Sequence, residues 1–132
     1  MPITYSKPRF IEGKKWRTYP ITKDLETGTQ VIKIGSGQDI DIDISKKYIT
    51  GIFIDLTTYT GNKLTKLWVR DSEKIHDIII DIDYPFNFET WNTALKLDFK
   101  DALLYIPQNS WLEIEFSISN ACKALIILEL LT

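Results

Sequence analysis

Apolar side chains recur at every second position along most of this chain. In Asp39-Ile40-Asp41-Ile42-Asp43-Ile44 the alternation is strict. An extended backbone puts the isoleucines on one face and the aspartates on the other, whereas a helix would scatter both around its circumference. The same period runs through Gln30 to Ile34, Leu64 to Arg70, Leu95 to Phe99 and Ser110 to Ile118. Ile49 to Leu56 is apolar on both faces in its middle, as expected of a central strand covered on two sides, Ile75 to Ile82 reads as a strand centred on Ile78-Ile79-Ile80, and Ala124 to Leu131 reads as a buried terminal strand. A further short strand is expected over Leu103 to Ile106. Gly35-Ser36-Gly37, Thr60-Gly61-Asn62, Asp71 to Lys74 and Asn120 supply turns between these runs. About eight short strands with turn signals between them argue for an all-β sandwich or barrel, of which an antiparallel β-sandwich of jelly-roll type is the expected one. Ile40, Ile42, Ile44, Ile52, Ile54, Leu67, Val69, Ile114, Phe116, Ile118 and Ile126 are the expected core.

Two segments break the pattern. Between Asp83 and Gln108, Glu89 to Leu95 reads as well as two helical turns as it does as strand. Residues 1–26 hold Pro2, Pro8 and Pro20 and show no sustained period. Proline fixes φ and removes a donor, so this stretch is expected to be an extended N-terminal arm, with the β-sandwich domain over residues 27–132.

Charge sharpens that division. Residues 1–23 carry Lys7, Arg9, Lys14, Lys15, Arg17 and Lys23 against Glu12 alone, a net +5. The whole 132-residue chain is −2, so the remainder carries −7. The length suits one domain, and the 44% apolar content is ordinary for a globular fold. The N-terminus has no apolar h-region, so no signal peptide is expected. The longest apolar run, Ala124 to Leu131, is too short for a transmembrane helix, and neither end shows a lipidation motif.

Candidate chemistry is sparse. His76 is the only histidine. Zinc and cupin-type sites want two or three, and a Ser-His-Asp triad would need a nucleophile motif such as Gly-x-Ser-x-Gly, which is lacking. His76 is therefore expected to be a surface or satisfied structural residue. Cys122 is the only cysteine, which rules out an intrachain disulfide and leaves a small buried hydrophobe as the ordinary reading. Gly35-Ser36-Gly37 lacks the lysine of a phosphate loop. No cofactor and no catalytic residue is expected, and the chain reads as a non-enzyme. The row Asp39, Asp41, Asp43 places carboxylates about 7 Å apart on one face. It could be a solvated or partner-facing strand, a cation ladder, or a guard against sheet-to-sheet pairing. Glu113 and Glu115 form a pair on one strand face, but many soluble strands do.

Aromatic residues offer more. Trp68 and Trp111 lie opposite Leu67/Val69 and Leu112/Ile114; the ordinary reading is that each caps one edge of the core, while the parity also suits exposure, a subunit contact or stacking on sugar rings. This keeps a non-catalytic carbohydrate- or receptor-binding module open as an alternative. In the arm, Lys7, Arg9, Phe10, Lys14, Lys15, Trp16, Arg17 and Tyr19 interleave charge with rings. Such a segment can meet phosphates, a membrane surface, an acidic subunit, or its own sandwich. Nucleic-acid domains usually show a basic face on the folded part too, and this body is acidic. Protein–protein contact is expected, and nucleic acid is not.

Finally, the run Ile49-Thr50-Gly51-Ile52-Phe53-Ile54-Asp55-Leu56-Thr57 reads as a central strand entering a threonine-rich turn. With Ile106-Pro107-Gln108-Asn109-Ser110-Trp111, the terminal apolar strand from Ala124 and the N-terminal arm, the chain resembles the small single jelly-roll vertex (penton-type) capsid proteins of tailless, membrane-containing phages and viruses. The resemblance is a pattern of strands and turns over residues 29–131. It implies an eight-stranded sandwich and a symmetric homo-oligomer such as a fivefold ring. It also implies other capsid proteins as partners and a place in the virion after synthesis in a host cytoplasm. It brings no catalytic residues.

Overall fold

A computed structural model of the protein describes residues 16–86 and 94–131. Ten strands form among them: β1 (Trp16–Leu25), β2 (Gly28–Ile34), β3 (Tyr48–Leu56), β4 (Lys63–Arg70), β5 (Ile75–Ile80), β6 (Tyr84–Pro85), β7 (Ala94–Asp98), β8 (Leu104–Tyr105), β9 (Trp111–Ile118) and β10 (Cys122–Leu131). One sheet runs β1-β10-β3-β7, with β8 beside β7 on the edge of β3. The other runs β2-β9-β4-β5, with β6 beside β5 on the edge of β4. Every ladder between named strands is antiparallel.

The winding is that of a jelly roll. β1 pairs with β10, β2 with β9, β3 with β7 and β8, and β4 with β5, so the two halves of the chain form one long ribbon turned at residues 71–74. The ribbon crosses from sheet to sheet as it rolls up, and the β10–β3 and β9–β4 ladders close it. The expected antiparallel β-sandwich is therefore what forms. No helix occurs among the described residues, and none there is long and apolar enough to cross a membrane.

Period two explains the core. Ile32 and Ile34 of β2, Ile52 and Ile54 of β3, Leu67 and Val69 of β4, Ile114, Phe116 and Ile118 of β9, and Ile126 and Leu128 of β10 point between the sheets and are buried. Burying each such side chain contributes roughly 1.5–3 kcal/mol, before the entropy of ordering it.

Three expectations need correction or bounding. Asp39 to Ile44 is not a strand; beyond one isolated bridge from Ile34 to Ile40 it is irregular chain carrying β2 across to β3. The aspartates cause this. Asp41 Oδ1 accepts from the Gly37 amide at 2.9 Å and Asp43 Oδ1 from the Ser45 amide at 3.1 Å, so local side-chain caps replace the ladder. The facing was still right: Ile44 is buried, and Ile40 and Ile42 pack half-buried against the core. Second, residues 16–25 do not stay outside the ladder as an arm. They are β1, paired with β10 from Trp16↔Leu131 to Leu25↔Cys122, with Ile21 and Leu25 buried. Pro20 is tolerated because β1 is an edge strand, where no further strand needs its missing N–H. Residues 1–15 of the expected arm, and the ambiguous stretch from Glu89 to residue 93, lie outside the described residues.

One buried amide ties two sheet crossings together. Asn62, only 1% exposed, ends the β3–β4 connection. Its Oδ1 accepts from the Ser119 and Asn120 amides at 2.8 and 3.0 Å, in the β9–β10 connection. Its Nδ2 donates to the Thr58 and Asn120 carbonyls at 2.8 and 2.9 Å. Gly61 before it takes a φ of 74°, in the left-handed region that glycine accepts freely. Asn62→Ala should remove the partner of four partly buried backbone groups and cost about 3 kcal/mol. Urea unfolding of wild type and variant measures this; a change under about 0.5 kcal/mol would show that water replaces the amide.

Candidate functional site

The outward face of the β2-β9-β4-β5 sheet gathers the tryptophans singled out by the sequence. Alternate residues project there: Val31 and Lys33 from β2, Trp111, Glu113 and Glu115 from β9, and Lys66, Trp68 and Arg70 from β4. The β4–β9 register sets Trp68 opposite Glu113 and Arg70 opposite Trp111. Gly35 lets the end of β2 approach; a Cβ there would stand 2.8 Å from the Trp111 Cβ.

These side chains are committed to one another. Trp111 Nε1 donates to Glu113 Oε1 at 3.1 Å, and Arg70 Nη1 lies 3.9 Å from Glu113 Oε2. Thr65 Oγ1 donates to Glu115 Oε2 at 2.9 Å, and Lys66 Nζ is 3.6 Å from Glu115 Oε1. The paired glutamates are thus tied to neighbours on β9 and β4, not poised around a cleft. Lys66 Nζ stands 4.5 Å from the centre of the Trp68 ring, and Lys33 Nζ 5.4 Å from that of Trp111. Both rings are half-buried and each carries an ammonium over its face, so a sugar could stack only by displacing a lysine. A shallow depression on this face is lined by Val31, Lys33, Arg70, Ser72, Trp111 and Glu113.

The remaining candidates are dispersed. Lys7, Arg9, Phe10, Lys14 and Lys15 lie outside the described residues. Trp16 opens β1 half-buried and Arg17 is exposed, while Tyr19 faces inward and packs against the core. Asp41 and Asp43 cap their own loop, and among the described residues no cluster of three or more His, Cys, Asp or Glu could hold a metal ion. Cys122 is half-buried at the start of β10; burial pushes its thiol pKa up, and its Sγ accepts from Asn62 Nδ2 at 3.6 Å.

His76, on β5, reaches back to the turn before it. Its Nε2 lies 2.8 Å from Asp71 Oδ2, while Asp71 Oδ1 accepts from the Lys74 and Glu73 amides at 2.8 and 2.7 Å. The carboxylate closes the β4–β5 hairpin and orients the ring.

Sequence reasoning passed over the exposed apolar residues of the sheet margins. Ile78 is 54% exposed beside Trp68 and Ile82 is 76% exposed beyond β5. On the other sheet, Tyr48 and Tyr105 are 42% and 44% exposed, their ring centres 5.1 Å apart. The Ile75 to Ile82 run marked the first group, but its unbroken apolarity hid which residues face outward.

No family model matches the chain, and no curated protein does. Among solved structures, the major capsid protein P2 from bacteriophage PM2 is similar in fold, with a TM-score of 0.55 over 89% of this chain at 15% identity. The chain spans 44% of the length of that capsid protein.

The hairpin turn has a pH dependence of known sign. Hydrogen bonds from the Lys74 and Glu73 amides, then from His76, hold the Asp71 carboxyl at about 2, below its ordinary 3.8. A depressed folded-state value means that its stabilisation is complete above the unfolded value and is lost as pH falls through the folded one. Asp71→Asn should therefore lower the urea midpoint at pH 6, and the gap should close as pH drops from about 4 to about 2. A gap that persists unchanged at the lowest pH would show that charge has no part in it.

Proposed function

We propose that this chain is a structural virion component: a minor capsid protein of the vertex (penton) type that assembles through its sandwich and its N-terminal segment. The observation that carries the reading is the jelly-roll winding itself, two five-stranded sheets ordered β1-β10-β3-β7 with β8 and β2-β9-β4-β5 with β6, in a fold similar to that of a chain described as a phage major capsid protein. A closed sandwich of this type offers loops at both ends and flat faces between them. Rigid surfaces of that kind suit symmetric packing of many copies.

Its partners on this reading are copies of itself and other coat proteins, its place is the particle, and its role needs neither catalysis nor a cofactor. The basic segment before Trp16 meets an acidic neighbour in the assembly, leaving nucleic acid no part in the reading. The alternative of a sugar-binding module is weakened by the lysines that cover Trp68 and Trp111.

The deciding measurement is native mass at low and raised salt. A defined oligomer, in multiples of five for a vertex, is the expected outcome, with no signal on a glycan array. A strict monomer that binds glycans and loses that binding in Trp68→Ala or Trp111→Ala would replace this reading with the alternative. Removal of residues 1–15, which precede the described β1, should leave a cooperatively folding sandwich that fails to join the assembly. Loss of the cooperative unfolding transition in the truncated chain would place those residues in the core instead.

A further inference from the structure

The margin of the sandwich formed by β5 is unlike the others. It carries exposed Ile75, Ile78 and Ile82 together with exposed Asp77 and Asp81, neither of which has an ion-pair partner among the described residues. No lysine or proline blunts residues 75–82. The β4–β5 register instead shifts twice, with Leu67↔Ile80 followed by Trp68↔Ile78, and Val69↔Asp77 by Arg70↔Ile75. Extra residues at Ile79 and His76 kink the strand, and a strand bulged twice is a poor template for another ladder. What this margin offers a partner is side chains: an isoleucine step flanked by free carboxylates.

We propose that this β5 margin receives residues 1–15 of a second copy of the chain. The inference rests on the assembly reading above and names the surfaces that meet. Residues 1–15 carry Lys7, Arg9, Lys14 and Lys15 against Glu12, a net +3, interleaved with Tyr5, Phe10 and Ile11. That is the complement of an acidic, isoleucine-lined margin: the rings cover apolar area while the cations neutralise Asp77 and Asp81. Topology favours another copy over the same one. β1 and β2 are joined by two residues and form one side of the sandwich, whereas β5 edges the opposite side of the sheet that lacks β1. A segment leaving Trp16 starts from the corner diagonal to its own β5. Donor surface and receiving surface differ, so the contact can repeat head to tail from copy to copy, and a rotation that closes makes it a ring.

The test uses the full-length chain and measures self-association by sedimentation, with urea midpoints as the control for folding. Asp77→Lys/Asp81→Lys should weaken association about tenfold or more, as should Lys14→Glu/Lys15→Glu, because each sets like charges together. A chain carrying all four substitutions restores opposite charges and should recover to within about threefold of wild type. Ile78→Ser provides an independent arm, with association weakened and the urea midpoint unchanged. The inference falls if the Asp77/Asp81 variant associates like wild type, if the folded four-substitution chain fails to recover, or if Ile78→Ser is silent. A wild type that assembles but ignores these changes removes this inference alone. One that stays monomeric at all concentrations removes the assembly reading with it.

Discussion

Neither sheet can close until residues 111–131 are in place. β10 lies between β1 and β3, and β9 lies between β2 and β4, so the last hairpin supplies an inner strand to both layers. The β3–β10 register brings Ile52 opposite Leu128 and Ile54 opposite Ile126, which sets four inward aliphatic side chains at the centre of the sandwich. These partners are more than seventy residues apart in sequence. Loop-closure entropy must be met before such pairs contribute, which makes this a fold of high contact order and slow formation. Asn62 acts at the same place. By holding the β9–β10 connection against the β3–β4 connection, it couples the two inner strands to the two crossings that bracket them.

A second consequence concerns polar groups next to the core. Thr50 is buried in β3, where the β10 ladder shifts between Glu129 and Leu130. Its hydroxyl lies 3.0 Å from both the Glu129 carbonyl and Glu129 Oε1. Thr65 treats Glu115 in the same way where the β4–β9 register shifts between Leu64 and Lys66. At each irregularity a threonine lies within hydrogen-bonding distance of the carbonyl that the broken ladder leaves short of a donor. The sandwich thus accommodates local kinks without exposing its core.

The sequence made the sandwich legible because facing follows parity alone. Ile52, Ile54, Leu67, Val69, Ile114 and Phe116 alternate with polar or aromatic residues and are buried as that alternation requires. Hydrogen bonding was less legible. Asp39 to Ile44 has the best alternation in the chain yet makes no ladder, because Asp41 and Asp43 find nearer amides than a neighbouring strand provides. The reverse holds for β1. Tyr19, Ile21 and Leu25 face inward at period two, but Pro20 within them reads as a break unless the strand is known to lie at an edge. The tryptophans were placed on the right face, while the lysines above them sit on other strand positions whose proximity only the register reveals. The excess of positive charge over residues 1–23 is plain in the sequence, but charge of that kind bears on association and not on fold.

A two-layer roll leaves four margins, and each must avoid indiscriminate pairing. β1 carries Pro20, with Arg17 exposed; β2 carries Lys33; β7 carries Lys96. Proline and long cations at an edge discourage any strand that approaches, whatever its sequence. β5 is protected differently, by two bulges and by Asp77 and Asp81. Carboxylates repel a second β5, since an antiparallel meeting of two such strands would bring acids together. They do not repel a basic segment. General deterrence guards three margins, and a sign-selective one guards the fourth, so the margin with the most exposed isoleucine is also the one whose charge admits only a partner of opposite sign.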